Sequence, residues 1–231
     1  MFKLCSILVA ILLLLAAGAC WAKIVSDPDK ATSIGDTLSL PEAKVLGKLS
    51  VEEAISARRS VRSFKEQDLT LFQISQLFWA AQGVTETAAW RRRAAPSAGA
   101  LYPLEVYVLW RNMLWHYLPE IHSIELNRKG MAQDDLADAS LGQSAIRQAP
   151  ACFVISGFYS RTAAKYGKRA QRYVHIEVGH AAENLLLQTI ALGLGGVTIG
   201  AFQDAEVKRL LNLSKDEAPL YVIPVGHKKT R

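Results

Sequence analysis

Residues 151–158 read "ACFVISGF", an apolar run without a charged side chain. Successive side chains of a strand point to opposite faces, so a strand that is apolar throughout must be covered on both. The chain therefore has to build layers on either side of a sheet. Two alternating runs, "LEVYVLW" and "MLWHYL", are separated by Arg111 and Asn112 and predict a β-hairpin. Ser50 with Glu53, and Thr70 with Gln73, have capping-box spacing, in which each side chain answers the other residue's backbone N–H. The helix opened by Ser50 should end near Arg58. The next carries Leu71, Ile74, Leu77, Phe78 and Ala81 at helical spacing and stops at Gly83. Residues 131–148 read as helical and polar-faced, and the longest helix runs from about Arg169 to Leu192, closed by "GLGG". A strand or turn at "GGVTIGAF", a short helix from Asp204 and a last strand "PLYVIPVG" follow. The mixture predicts an α+β fold with a central mixed sheet flanked by helices.

The first residues, "MFKLCSILVAILLLLAAGACWA", differ from the rest: one lysine, an apolar segment, then small side chains. That pattern is a secretory leader, cut after Ala22 or just before Cys20. It predicts export, with a periplasmic location. A lipid on Cys20 or an uncut leader would be the route to a membrane. The chain then divides into a leader, 1–22, a lead-in with Pro28 and Pro41, 23–48, and one domain, 49–231. Cys5 and Cys20 lie in the leader and Cys152 in the apolar strand, so no internal disulfide is expected and a packed core must hold the domain. Nor do cysteines and histidines fall at metal-ligand spacing. The net charge of +6 is spread along the chain, without a basic run or aromatic interleaving that would argue for nucleic acid.

Three segments invite an anionic, planar ligand. "RRSVR", Arg58 to Arg62, offers guanidinium forks that suit phosphate, with Ser60 between them; arginines at a helix end also simply answer its dipole. In "RRRAAPSAGALYPLE" the residues Pro96, Ser97, Ala98 and Gly99 leave the backbone almost bare, either as a plain turn or as a surface for a flat ring. "GLGGVTIGAF" is glycine-rich but lacks both the dinucleotide and the P-loop spacing. On the long helix Tyr173, Glu177, His180 and Asn184 form a polar line beside the apolar stripe Val174, Val178, Ala181, Leu185 and Leu192. Such a line is either a buried hydrogen-bonded network or the wall of a wet cavity.

These segments, in this order, resemble the nitroreductase superfamily, and within it the SagB/ThcOx-type dehydrogenases. The likeness covers roughly residues 46–227, carried by "RRSVRSF", "APSAGALYPLEVYV", "HYLPEIHSIEL", "RYVHIEVGHAAENLLLQTIALGLGGVTIGAF" and "VIPVGH". "PSAGALYPLE" is its most specific piece. The resemblance implies a flavin mononucleotide (FMN) oxidoreductase acting on a small-molecule substrate, an intertwined homodimer, with NAD(P)H a candidate electron donor. It places Arg58, Arg59, Ser60 and Arg62 at the phosphate and pyrimidine side, and Pro96, Ser97, Ala98 and Gly99 along the ring. Gly200 and Ala201 would present N–H groups near flavin N5, and Lys229 and Arg231 would reach the phosphate. Arg91 to Arg93 read as a solvated loop rim, the alternative being that one of them, Arg93, leans over the flavin edge. Azoline-oxidising relatives use a lysine–tyrosine pair at the start of the long helix. The corresponding pair here is Arg172–Tyr173; arginine is no base, which leaves Tyr173 as the proton-relaying candidate and puts azoline oxidation in doubt. The leader lacks a twin arginine, which keeps open a second expectation, a flavin-fold protein that binds without redox turnover.

Overall fold

The computed structural model describes residues 23–86 and 92–229. The strands are β1 (Ile24–Val25), β2 (Thr37–Ser39), β3 (Leu104–Trp110), β4 (Met113–Leu118), β5 (Ser123–Lys129), β6 (Ala151–Phe158), β7 (Leu194–Gly196) and β8 (Glu217–His227). They form one eight-stranded sheet in the order β1-β2-β5-β4-β3-β6-β8-β7. Only β1 and β2 pair in parallel; the other named neighbours are antiparallel. The helices are α1 (Val51–Ala57), α2 (Leu71–Gln82), α3 (Gln133–Ala139), α4 (Ser144–Gln148), α5 (Tyr159–Tyr166), α6 (Ala170–Ala191) and α7 (Asp204–Leu210). This is the α+β class, a mixed sheet flanked by helices.

Local chemistry explains the elements. Both capping boxes close: the Ser50 hydroxyl accepts from the Glu53 N–H at 3.1 Å while Glu53 accepts from the Ser50 N–H at 2.7 Å, and Thr70 with Gln73 repeats the exchange. Arg111 and Asn112 take φ of 54° and 55°, the backbone of a two-residue turn that matches strand twist. Central β6 is fully buried from Ala151 to Ile155, between β3 and β8. Alternation then splits the core in two. Val106, Val108, Trp110, Phe153 and Ile155 pack against α2 and α6, whereas Tyr107, Leu109, Cys152 and Val154 pack against α3, α4 and α7. On the first face Phe78 stacks on Tyr117 at 4.7 Å and meets Phe153 edge-on at 5.1 Å. Burying such rings stabilises by about 1.5–3 kcal/mol each.

Four features depart from the sequence reading. Segment 23–48 is more than a lead-in, because β1 and β2 extend the sheet and bury Val25 and Leu38. The helix expected over 131–148 is two, interrupted at Leu141 and Gly142, whose φ of 58° and 74° no helix tolerates. Strand β5, "SIELNRK", was unread, and so was α5, "YSRTAAKY". By contrast α6 runs as expected, with Val174, Val178, Ala181 and Leu185 buried against the sheet.

Candidate functional site

The strip Pro96–Gly99 is pinned to α6 through Ser97. The Ser97 hydroxyl donates to Glu177 Oε2 at 2.6 Å and accepts the Tyr102 N–H at 2.9 Å. Between those bonds the backbone is left-handed at Gly99, Ala100 and Tyr102, with φ of 65°, 53° and 45°. Glycine adopts this freely; for alanine and tyrosine it costs about 1–2 kcal/mol each. The turn is therefore held by its surroundings. Arg161 Nη1 donates to the Tyr102 carbonyl at 3.2 Å, the Tyr102 hydroxyl accepts the Arg93 N–H at 3.2 Å, and the Arg93 guanidinium lies 4.7 Å over the Tyr102 ring. A side chain at Gly99 would meet the Tyr166 hydroxyl at 2.9 Å and the Lys165 ammonium at 3.0 Å. Lys165 and Tyr166, both on α5, thus converge on the barest point of the strip. Sequence reasoning missed them, although the Lys-Tyr dipeptide stands just upstream of Arg172–Tyr173.

The polar line on α6 divides. Tyr173 packs edge-on against Tyr166, with centroids 4.9 Å apart. Glu177 is 2% exposed, and among the described residues its Oε1 has no hydrogen-bond partner. Burial pushes its carboxyl up to about 7; the Ser97 hydrogen bond and the Arg93 charge oppose that only in part. His180 faces solvent, and Asn184 Nδ2 donates to the Ala94 carbonyl at 3.3 Å. Arg93 reaches Gln82 Oε1 and Glu120 Oε1, each at 3.3 Å, while among the described residues Arg93 Nε and Gln82 Nε2 have no hydrogen-bond partner.

A second cluster forms where α1 ends. Arg58 pairs with Glu183 of α6 at 3.5 Å. Arg59 turns back onto the carbonyls of Ser56 and Arg58, at 2.9 and 2.8 Å. Ser60 pairs with Gly196 of β7, and Val61 N–H donates to the Gly196 carbonyl at 3.0 Å. Glycine is required beside it, since a Cβ on Gly195 would sit 2.7 Å from Val61 Cγ2. The Lys229 N–H donates to the Ser63 carbonyl at 3.2 Å, so Arg62 and Lys229 share one exposed edge. Arg231 lies outside the described residues.

Gly200 and Ala201 follow Ile199, which pairs with Val222 of β8, and the open side of Gly200 faces the Tyr221 ring at 3.6 Å. The loop continues to Asp204. Burial first and then the Asp204 charge raise the pKa of Tyr159, whose hydroxyl lies 2.7 Å from His175 Nε2 on α6. The strip and the Arg58 cluster likewise meet α6, at Glu177 and Glu183, about 9 Å apart along the axis at 1.5 Å per residue. Thus one helix organises both the strip and the Arg58 cluster. A groove of about 540 Å³, lined by Leu46, Phe72, Trp79 and Leu187, ends at the Ala94–Asn184 contact.

Three comparisons bear on this arrangement. The sequence model of the nitroreductase family matches residues 55–227. A Methanocaldococcus jannaschii protein named as a nitroreductase is 40% identical over 201 residues, which is 84% of this chain and 99% of that protein. The microcin B17-processing protein McbC of Escherichia coli is 29% identical over 143 residues, 57% of this chain and 53% of its own. Among solved structures, a Ralstonia eutropha protein described as a nitroreductase superposes with a TM-score of 0.76 at 28% identity, covering 84% of this chain and 90% of that one.

Proposed function

This chain belongs to the nitroreductase family, and from that premise we propose that it is an FMN-dependent oxidoreductase of the SagB/ThcOx type acting on a small molecule. The observation that carries the reading is the strip: a bare, left-handed backbone at Gly99, fixed from beneath through Ser97. The residues fit the cofactor. A planar ring needs an unscreened peptide surface, and Pro96–Gly99 offers one bordered by Lys165 and Tyr166. A phosphate needs fixed cations, and Arg58, Arg59, Arg62 and Lys229 stand on backbone laced to β7 and to Ser63. Bound FMN would supply hydride exchange at its N5; the chemistry is the cofactor's, and the protein orients and tunes it.

The chain's own residues have separable tasks. Arg62 would place a positive charge beside the flavin's pyrimidine side, where negative charge would gather on reduction; a donor held in place before the reaction needs no reorganisation. Gly200 and Ala201, exposed on the loop after Ile199, would present their N–H groups near flavin N5. Tyr173 is the proton-relaying candidate, packed edge-on against Tyr166, whose hydroxyl borders Gly99. Arg172 cannot act as the base. The resemblance to McbC over half the chain supports the SagB-type assignment. We read residues 1–22 as an export leader and the active form as a homodimer.

The test is colour. Purified protein is expected to be yellow and to release FMN on denaturation; a colourless protein that refuses added FMN overturns the reading. With flavin bound, Tyr173→Phe should slow substrate oxidation on the order of a hundredfold while leaving the flavin in place. Unchanged turnover removes Tyr173 from the mechanism. Reduction by NADH, NADPH or quinols, set against dithionite, identifies the electron donor. If dithionite alone reduces the flavin, the second reading gains: a flavin-fold binding protein without turnover, which the leader's lack of a twin arginine favours.

A further inference from the structure

Ser97 has one hydroxyl proton, and the 2.6 Å bond gives it to Glu177 Oε2. That fixes the lone pairs so that one accepts the Tyr102 N–H, the bond that closes the left-handed turn. A carboxylate is a strong acceptor and a protonated carboxyl a weaker one, so the grip on Ser97 depends on the charge of Glu177. The proton has a place to go. Glu177 Oε2 is engaged, whereas buried Oε1 has no partner among the described residues.

We propose that Glu177 is a positioning residue for the ring-lining strip, and that a proton gained on its open oxygen loosens its hold on Ser97 and thereby the strip's hold on the flavin ring. The flavin half rests on the reading above; the grip on the turn does not.

The surroundings make this proton exchange accessible near neutrality. Burial raises the carboxyl to about 7, opposed in part by the Ser97 hydrogen bond and by Arg93. Arg93 is the charged group acting on it from the segment laid over α6, and that guanidinium is shared with Glu120 and Tyr102. From α2 comes only the neutral Gln82 amide, bonded to Arg93. From α5 come Lys165 and Tyr166, both at Gly99. From α1 comes Arg58, paired with Glu183. On α6 itself Tyr173 and His180 flank Glu177 one turn away on each side. Beneath the helix, at Val174, the sheet presents Leu104 and Gly157, which carry no charge.

The experiment follows the Tyr102 amide by NMR in the full chain as purified, from about pH 5 to 9, with FMN affinity measured alongside. In the wild type the amide shift should titrate with a midpoint of about 7. The Kd for FMN should rise roughly five-fold as pH falls through that midpoint, the difference between a charged and a neutral acceptor. In Glu177→Gln both profiles should be flat. Ser97→Ala should abolish the Tyr102 titration as well, which keeps the test valid if the glutamine variant folds poorly. A Tyr102 amide that titrates equally in wild type and variants, or in none, overturns the proposal. A wild type whose Tyr102 amide titrates but which takes up no FMN supports the Ser97 grip and overturns the flavin reading alone.

Discussion

Two buried glutamates, Glu217 and Glu177, are held in opposite ways. On the face covered by α3, α4 and α7, Glu217 Oε1 accepts from Tyr107 Oη at 2.9 Å and from Ser156 Oγ at 2.5 Å, while Oε2 accepts the Ser214 N–H at 3.4 Å. Close by, Glu105 gives one oxygen to His116 at 2.8 Å and the other to Arg161 at 2.6 Å. Burial pushes Glu105 up, but the hydrogen bond from His116 and the charges of His116 and Arg161 outweigh it and leave its pKa lowered. Glu177 of α6 has, among the described residues, a single bond and an open oxygen, and its pKa is raised. Where both oxygens are answered, a buried acid knits strands together. Where one is not, the protein carries a cost at neutral pH that packing alone would not select. That contrast marks Glu177, beside the strip, as the less satisfied of these acids among the described residues.

Removing the answered acid should do the greater harm. Glu217→Ala leaves the Tyr107 and Ser156 hydroxyls buried without an acceptor, a loss of about 4 kcal/mol and a Tm lower by roughly 8–16 °C. A thermal scan showing less than about a quarter of that fall would mean the network is not structural. Glu177→Gln should act through pH instead. The folded-state pKa of Glu177 lies above its ordinary value of 4.5, so the folded state binds the proton more tightly than the unfolded one. Its contribution to stability is accordingly largest at low pH and is lost as pH rises from about 4.5 through about 7. In the wild type this group alone should lower stability by on the order of 3 kcal/mol across that window, and the slope should vanish in the glutamine variant. Identical pH–Tm curves for the two proteins would erase the contrast drawn between the two acids.

How far the chain announces this arrangement depends on range. The caps at Ser50 and Thr70 and the turn at Arg111–Asn112 are settled within a few residues, so their spacing is readable. The apolar run of β6 likewise declares its burial on both faces. Strand β5 declares itself less clearly, because its alternation is short, Ile124 and Leu126 set between Ser123, Glu125 and Asn127, and it fails at Arg128 before the exposed Lys129. The segments of the site were legible as composition, "RRSVR" as cations and "PSAG" as bare backbone, but their partners were not. Ser97 and Glu177 are 80 residues apart, and Lys165 and Tyr166 reach Gly99 only because α5 folds back over the strip. Glu177 was visible as one member of a polar line. Nothing in its neighbours' identity told it from His180, which faces solvent.

One side chain touches both networks, and it permits the finest test of their independence. Arg161 donates through Nη2 to Glu105 and through Nη1 to the Tyr102 carbonyl, while its guanidinium lies 4.3 Å over the Phe158 ring. Its side chain is 41% exposed, so Arg161→Ala should cost only about 0.5–1 kcal/mol. The informative quantity is the coupling. If the turn at Tyr102 is held from two sides, by Arg161 at its carbonyl and by Ser97 at its N–H, loosening one should make the other matter more. The double variant Arg161→Ala/Glu177→Gln, measured above pH 8 by denaturant unfolding, should then depart from the sum of the single variants by about 0.5 kcal/mol or more. Strict additivity would mean that the strip is held from α6 alone and that the well-answered acids opposite have no say in the site.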